Sequence, residues 1–167
     1  MALPHSIETG GKSYTVEEAN KALPLVRAIV ADIVRQFRTV DEFRVRLSAL
    51  AGRSRSSSKK GGSAGRDEDP YAEELAWSRS QLESEEGRLR EYVEELEKLG
   101  IELKGPDGLC DFPSRHEDRP IYLCWRPGES EVRFWHELHT GFAGRQPVES
   151  LRGGGSGPSR KTETCSQ

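Results

Sequence analysis

Apolar residues recur at three- and four-residue steps through the first hundred residues. After that they alternate with polar ones over short runs. In the first region Leu23, Val26, Val30, Ile33, Phe37, Val40 and Leu47 form a heptad-like seam, widened by Ala22, Ile29, Phe43 and Leu50. That period predicts an amphipathic helix with a stripe broad enough for more than one neighbour. Thr15 followed by Glu18 has the capping-box spacing, with Tyr14 in the staple position opposite the small Ala19. Pro24 falls inside the pattern and removes a backbone donor, which predicts a kink or a break near the first turns. A second helix is predicted from Tyr71 to Leu99. Leu75, Leu82, Leu89 and Leu96 repeat at seven, Tyr92, Val93 and Leu99 broaden the stripe, and Gly100 stops it.

Between the two helices the pattern stops. Residues 52–70, GRSRSSSKKGGSAGRDEDP, are low-complexity and predict a disordered loop at a hairpin tip; the competing reading is a tract for nucleic acid or phosphorylation. Folding the chain back at this loop brings Leu47 to Leu75, Val40 to Leu82, Ile33 to Leu89, Val26 to Leu96 and Leu23 to Leu99. Apolar meets apolar at each layer, which predicts an antiparallel, coiled-coil-like helical hairpin roughly 40–50 Å long at 1.5 Å per residue. Residues 27–66 are mostly basic and 71–100 mostly acidic, a distribution that favours this pairing.

Beyond Gly100 the period changes to two. Ile101–Lys104 reads as a short strand, Gly105–Gly108 as a turn, and Leu109–Phe112 as a second strand closed by Pro113. Ser114–Pro120 reads as a polar connection, Ile121–Trp125 as the clearest strand, Arg126–Glu129 as a turn and Ser130–Leu138 as the last strand. The predicted fold is therefore α+β. A lead-in over 1–13 precedes the hairpin over 14–100, a small antiparallel sheet over 101–149 and a disordered tail over 150–167. If the Pro127-Gly128 turn makes a hairpin, Leu123 falls near Phe134 and Ile121 near His136. Ile121, Leu123, Trp125, Val132, Phe134, His136 and Leu138 then share the face expected to lie on the helices. Tyr122, Cys124, Arg126, Glu131, Arg133, Trp135 and Glu137 share the other. A slip of one residue would invert that assignment.

Composition adds limits. A chain of 167 residues that is 32% charged and only 34% hydrophobic suits elongated helices better than a compact globule. A net charge of −3 gives no reason to expect nucleic acid as a partner, and no run approaches the roughly 20 apolar residues that span a bilayer. Cys110, Cys124 and Cys165 are odd in number and irregularly spaced, so they predict no disulfide framework. The first residues carry no leader pattern, and a reducing cytoplasm is the expected setting.

Three blocks, YTVEEANKALPLVRAIV, LEKLGIELKGPDGLCDFP and IYLCWRPGESEVRFWHELHTGFAGRQPV, resemble the domain of unknown function 2203 family of bacteria and archaea over roughly residues 13–148. The resemblance implies a small cytoplasmic prokaryotic protein and carries over no activity.

The chemistry is therefore argued from the sheet. Asp111, His136 and His139, with Glu137 or Cys124, are residue types that bind zinc or a similar divalent ion, although His136 and His139 share a site only if the chain bends after Leu138. His136 set against Asp111 also reads as a buried, satisfied histidine. Paired with Asp111 or Glu137 it reads as an oriented base, with Cys110 or Cys124 as nucleophile. Arg126, Arg133 and Arg145 near Trp125 and Trp135, with the glycine-bounded loop Gly141–Arg145, suggest a site for a small anionic ligand or a protein partner. The surface alternative pairs Arg126 and Arg133 with Glu129 and Glu131. The leading expectation is a non-enzymatic interaction or scaffolding module, self-associating through its helices, with a binding sheet end. The second is a metal-binding protein, or metal-dependent enzyme, using His136, His139 and Asp111.

Overall fold

A computed structural model of the chain describes residues 11–60 and 71–153. The chain folds as two long helices followed by a five-stranded antiparallel open sheet, an α+β arrangement. Helix α1 spans Val16–Lys60 and α2 spans Ala72–Lys98. The strands are β1 (Glu102–Leu103), β2 (Cys110–His116), β3 (Arg119–Trp125), β4 (Phe134–Glu137) and β5 (Gln146–Pro147), in sheet order β1-β2-β3-β4-β5.

Helix α1 begins at the capping box expected from its sequence. The Thr15 amide donates to Glu18 Oε2 at 2.8 Å, and the Glu18 amide donates to Thr15 Oγ1 at 3.1 Å. These bonds satisfy two backbone donors that a helix start leaves free, and they hold the Glu18 carboxyl below its ordinary range. The helix runs unbroken through Pro24. It also continues past Gly52, where the seam ends, to Lys60. Arg and Lys are good helix formers, and along this stretch Arg55 Nε donates to the Ala51 carbonyl and Ser56 Oγ to that of Gly52. Helix α1 is thus about 68 Å long and α2 about 40 Å. The rest of the expected loop, 61–70, lies outside the described residues, as do residues 1–10 and the tail beyond Gly153.

The hairpin is antiparallel. Gln36 Nε2 bonds Glu85 Oε2 at 2.6 Å, Arg44 lies 2.6 Å from Glu86, and Arg46 lies 3.6 Å from Glu74. The basic helix therefore meets the acidic one across the seam.

The sheet covers only the base of this hairpin. Its core cluster takes α1 residues from Val16 to Phe37, α2 residues from Leu89 to Leu96 and the following Leu99, and packs them on Ile101, Cys110, Phe112, Ile121, Leu123, Trp125, Val132 and Trp135. Beyond Phe37 and before Leu89 the helices bury Val40, Leu50, Leu75 and Ser78, and this distal part forms an arm.

The observed β1 is shorter than the expected Ile101–Lys104 and β3 starts two residues before Ile121, and the larger departures are in β2 and β4. Strand β2 runs through Pro113 to His116, and Ser114–Pro120 is no polar connection but a tight hairpin in which His116 pairs with Arg119. Pro113 is tolerated because β1 pairs only with Cys110 and Asp111. The Pro113 carbonyl instead accepts the Tyr14 amide at 2.7 Å. Strand β4 starts only at Phe134, and its register is one residue from the expected one: Leu123 pairs with Trp135 and Tyr122 with His136. The Arg126–Arg133 connection is too long for its turn to set the register. Burial of the larger apolar Trp135 against the helices decides it, and His136 moves to the opposite face. The chain from Ser150, expected as tail, is ordered to Gly153 within the 3-10 turn Val148–Gly153. Ser150 Oγ accepts the Trp135 indole N–H at 2.9 Å, and Leu151 packs on the core. Among the described residues no helix is long and apolar enough to cross a membrane.

Candidate functional site

Period two sorts the head into two faces. Cys110, Phe112, Leu123, Trp125 and Trp135 look toward the helices; Asp111, Tyr122, Cys124, Phe134 and His136 look away. The second face is nonetheless covered. Asp111 and His136 are each 2% exposed and Cys124 is fully buried. The 3-10 turn Phe142–Gly144 and Arg145 lie on this side, with the Arg145 guanidinium 4.3 Å from the Phe134 ring centre and 4.8 Å from that of Phe142.

Asp111 on β2, Cys124 on β3 and His136 on β4 meet beneath this cover. Asp111 and Cys124 are direct register partners, and the ligand-type atoms of all three residues lie within 4.8 Å of one another. His136 Nε2 is 3.1 Å from Asp111 Oδ2, and His136 Nδ1 is 2.8 Å from the Glu137 carbonyl. A carbonyl only accepts, so Nδ1 carries the hydrogen and Nε2 faces the group. Nε2 has no hydrogen-bond partner, because its short approach to Oδ2 is misaligned for one, and Asp111 Oδ1 has none either. Around the group, Lys104 Nζ lies 3.9 Å from Asp111 Oδ2, and the Tyr122 hydroxyl donates to Glu102 at 2.7 Å. Burial, then that bond, pushes the Tyr122 phenol up from its ordinary range.

The geometry does not make a relay. A relay through histidine uses both ring nitrogens, one toward an acid and one toward a nucleophile. Here Nδ1 is spent on a backbone carbonyl, and Asp111 approaches Nε2. Burial, reinforced by Asp111, pushes the Cys110 and Cys124 thiols up to about 12, the reverse of an activated nucleophile.

The residues expected at the site are only partly brought together. Asp111 and His136 meet, and Cys124, one of the two expected further ligands, joins them; His139 is exposed, and it and Glu137 lie outside the group. Trp125 and Trp135 are buried toward the helices, and the Trp125 indole donates to the Glu129 carbonyl at 3.0 Å. Arg145 is held by Glu129 through two bonds of 2.7 Å and also donates to the Cys124 carbonyl at 3.2 Å. Arg133 lies 3.4 Å from Glu131 on the surface, and exposed Arg126 stacks 5.7 Å from the Phe142 ring centre. These five residues therefore do not line one anion pocket. Cys124 is a candidate by residue type from the sequence, but only the observed β4 register places His136 on its face.

The family model described as Uncharacterized conserved protein (DUF2203) matches residues 12–148. The chain belongs to this family. No curated protein matches the chain, and no solved structure does. The match spans both helices and all five strands, so head and arm together are what this family model describes.

Proposed function

We propose that this chain is a non-enzymatic interaction module of the cytoplasm, in which the sheet head anchors the hairpin and the distal arm associates with the arm of a second copy. The observation that carries the reading is the arm's unfinished packing. Val45 is 64% exposed and Trp77 52% exposed, and Phe43, Leu47 and Leu82 are only half-buried. A two-helix arm has one partner surface per helix, and a broad stripe needs more.

Charge argues for a second copy as the occupant. The α1 side of the arm carries Arg38 and Arg53, and the α2 side carries Glu73 and Glu83, all exposed. An antiparallel pair of arms sets the basic helix of one copy beside the acidic helix of the other. The raised thiols and the occupied Nδ1 of His136 weigh against catalysis, and the Glu129–Arg145 pair weighs against an anion pocket at the sheet end.

Sedimentation equilibrium of the full chain tests this. A dimer is expected that weakens with added salt and shifts toward monomer in Val45→Glu with Trp77→Glu. A monomeric mass at the highest attainable concentration in low salt would sink the reading.

A further inference from the structure

We infer that Asp111, Cys124 and His136 form a binding site for one zinc-class divalent transition-metal ion, held between β2, β3 and β4. The inference stands independently of the arm's association.

The arrangement of His136 and Asp111 is incomplete as it stands. His136 Nδ1 donates to the Glu137 carbonyl, so in the neutral ring Nε2 presents a lone pair. That lone pair lies 3.1 Å from Asp111 Oδ2, itself an acceptor. Two acceptors at that distance in a dry interior repel unless a positive charge lies between them. A proton on Nε2 would be poorly aligned, since the contact fails as a hydrogen bond and leaves Nε2 without a partner; Asp111 Oδ1 has no partner either. A metal ion accepts both lone pairs at once and has no such directional demand.

The third donor identifies the class of ion. Cys124 Sγ belongs to the same group, and a thiolate with imidazole and carboxylate suits zinc and its neighbours rather than magnesium or calcium. Ligand atoms around a four-coordinate zinc ion are roughly 3.3–3.8 Å apart, given bonds of about 2.0–2.3 Å. The group is spread over no more than 4.8 Å, so closing onto an ion needs side-chain movement of about 1 Å rather than a change of backbone. Binding releases the Cys124 thiol proton to solvent. The doubly charged ion, the thiolate and the carboxylate then sum to zero, the condition under which charge is best buried. The Glu137 carbonyl fixes the ring and its tautomer, as an outer partner of a metal-bound histidine does. Each ligand comes from a different strand, so the ion ties the centre of the sheet together.

Metal-stripped full-length protein titrated with cobalt(II) tests the assignment. One equivalent is expected to bind with a thiolate-to-cobalt charge-transfer absorption, and one equivalent of zinc is expected to displace it and raise the melting temperature. Cys124→Ser should abolish the charge-transfer band. Asp111→Asn and His136→Ala should weaken binding by more than a hundredfold, since even outer partners of metal ligands contribute 10–100-fold. His139→Ala and Cys165→Ser should leave the titration unchanged. No absorption change up to millimolar cobalt overturns the inference. A band that persists in Cys124→Ser and disappears in Cys165→Ser overturns it too. Because a buried variant can fail to fold, circular dichroism accompanies each one; wild-type protein showing neither cobalt absorption nor a zinc-dependent melting shift overturns the inference without any variant.

Discussion

Arg145 grips Glu129 with both terminal nitrogens, each 2.7 Å from a carboxylate oxygen, across sixteen residues of chain. The pair is mostly shielded, with side chains 12% and 22% exposed, unlike the Arg133–Glu131 contact at the surface. Exposed pairs contribute about 0–1 kcal/mol, whereas charge-assisted bonds to a shielded partner contribute more. Glu129→Gln is expected to destabilise the fold by about 2–3 kcal/mol, and Arg133→Gln by less than about 0.5 kcal/mol. Urea unfolding at neutral pH compares the two; equal effects would contradict the distinction.

The same pair sets a pH dependence. Burial alone would raise the Glu129 carboxyl, but the bonds from Arg145 and from the Arg126 amide outweigh it and the net direction is down from 4.5. A carboxyl depressed in the folded state stabilises the fold fully above its unfolded value, and that stabilisation is lost as pH falls through the folded value. Wild-type stability should therefore fall as pH drops below about 4.5, and Glu129→Gln should remove part of that slope. An identical pH profile for the variant would refute the assignment.

Gly108 and Gly128 separate backbone strain from crowding. Both have positive φ, 86° and 101°. A Cβ at Gly108 would sit 2.6 Å from Val30 Cγ1, 2.9 Å from Pro127 Cγ and 3.0 Å from Val34 Cγ2, whereas at Gly128 it would meet nothing within 4 Å. Both alanine substitutions carry the conformational cost of about 1–3 kcal/mol. Gly108→Ala should cost about 1–3 kcal/mol beyond Gly128→Ala, from overpacking against α1. Equal midpoints in denaturant would show that the turn can move away from the helix.

The β2–β3 hairpin is improvable. Glu117 and Asp118 occupy the left-handed region, with φ of 48° and 62°, between the paired residues His116 and Arg119. A two-residue loop of this kind favours Asn-Gly. Replacing Glu117 with Asn and Asp118 with Gly should stabilise the protein by about 0.5–1 kcal/mol, read as a higher melting temperature. A fall in melting temperature would argue that the side chains of Glu117 and Asp118 outweigh the backbone cost.

Much of this architecture is written in local patterns. Thr15 and Glu18 announce the helix start, the sevenfold leucines announce the hairpin, and Ile121–Trp125 announces the central strand. What local patterns do not carry is register. Pro113 reads as the end of a strand because its missing donor is visible, while the absence of a neighbour on that side is not. The face of His136 depended on whether Phe134 or Trp135 turned inward, and an eight-residue connection over 126–133 leaves both open. The meeting of Asp111, Cys124 and His136 follows from that register, so candidate ligands were identifiable by type and not by company. The apolar pattern does not carry the helix through Gly52–Lys60, because seam residues end at Leu50 while backbone bonding does not.

Tyr14 bonds the carbonyl of Leu99 through its hydroxyl, the carbonyl of Pro113 through its amide, and Ser114 Oγ through its own carbonyl, and its ring meets Phe112 edge-on. All of these partners are made some hundred residues after it during synthesis. The first turn of α1 must therefore leave the ribosome and wait, its apolar side uncovered, until the sheet has been translated. The distal arm is joined through a much shorter span, so its closure carries the smaller entropic cost. A truncation before β3 should leave the base of α1 uncovered, because Ile121, Leu123, Trp125, Val132 and Trp135 of the core are then missing.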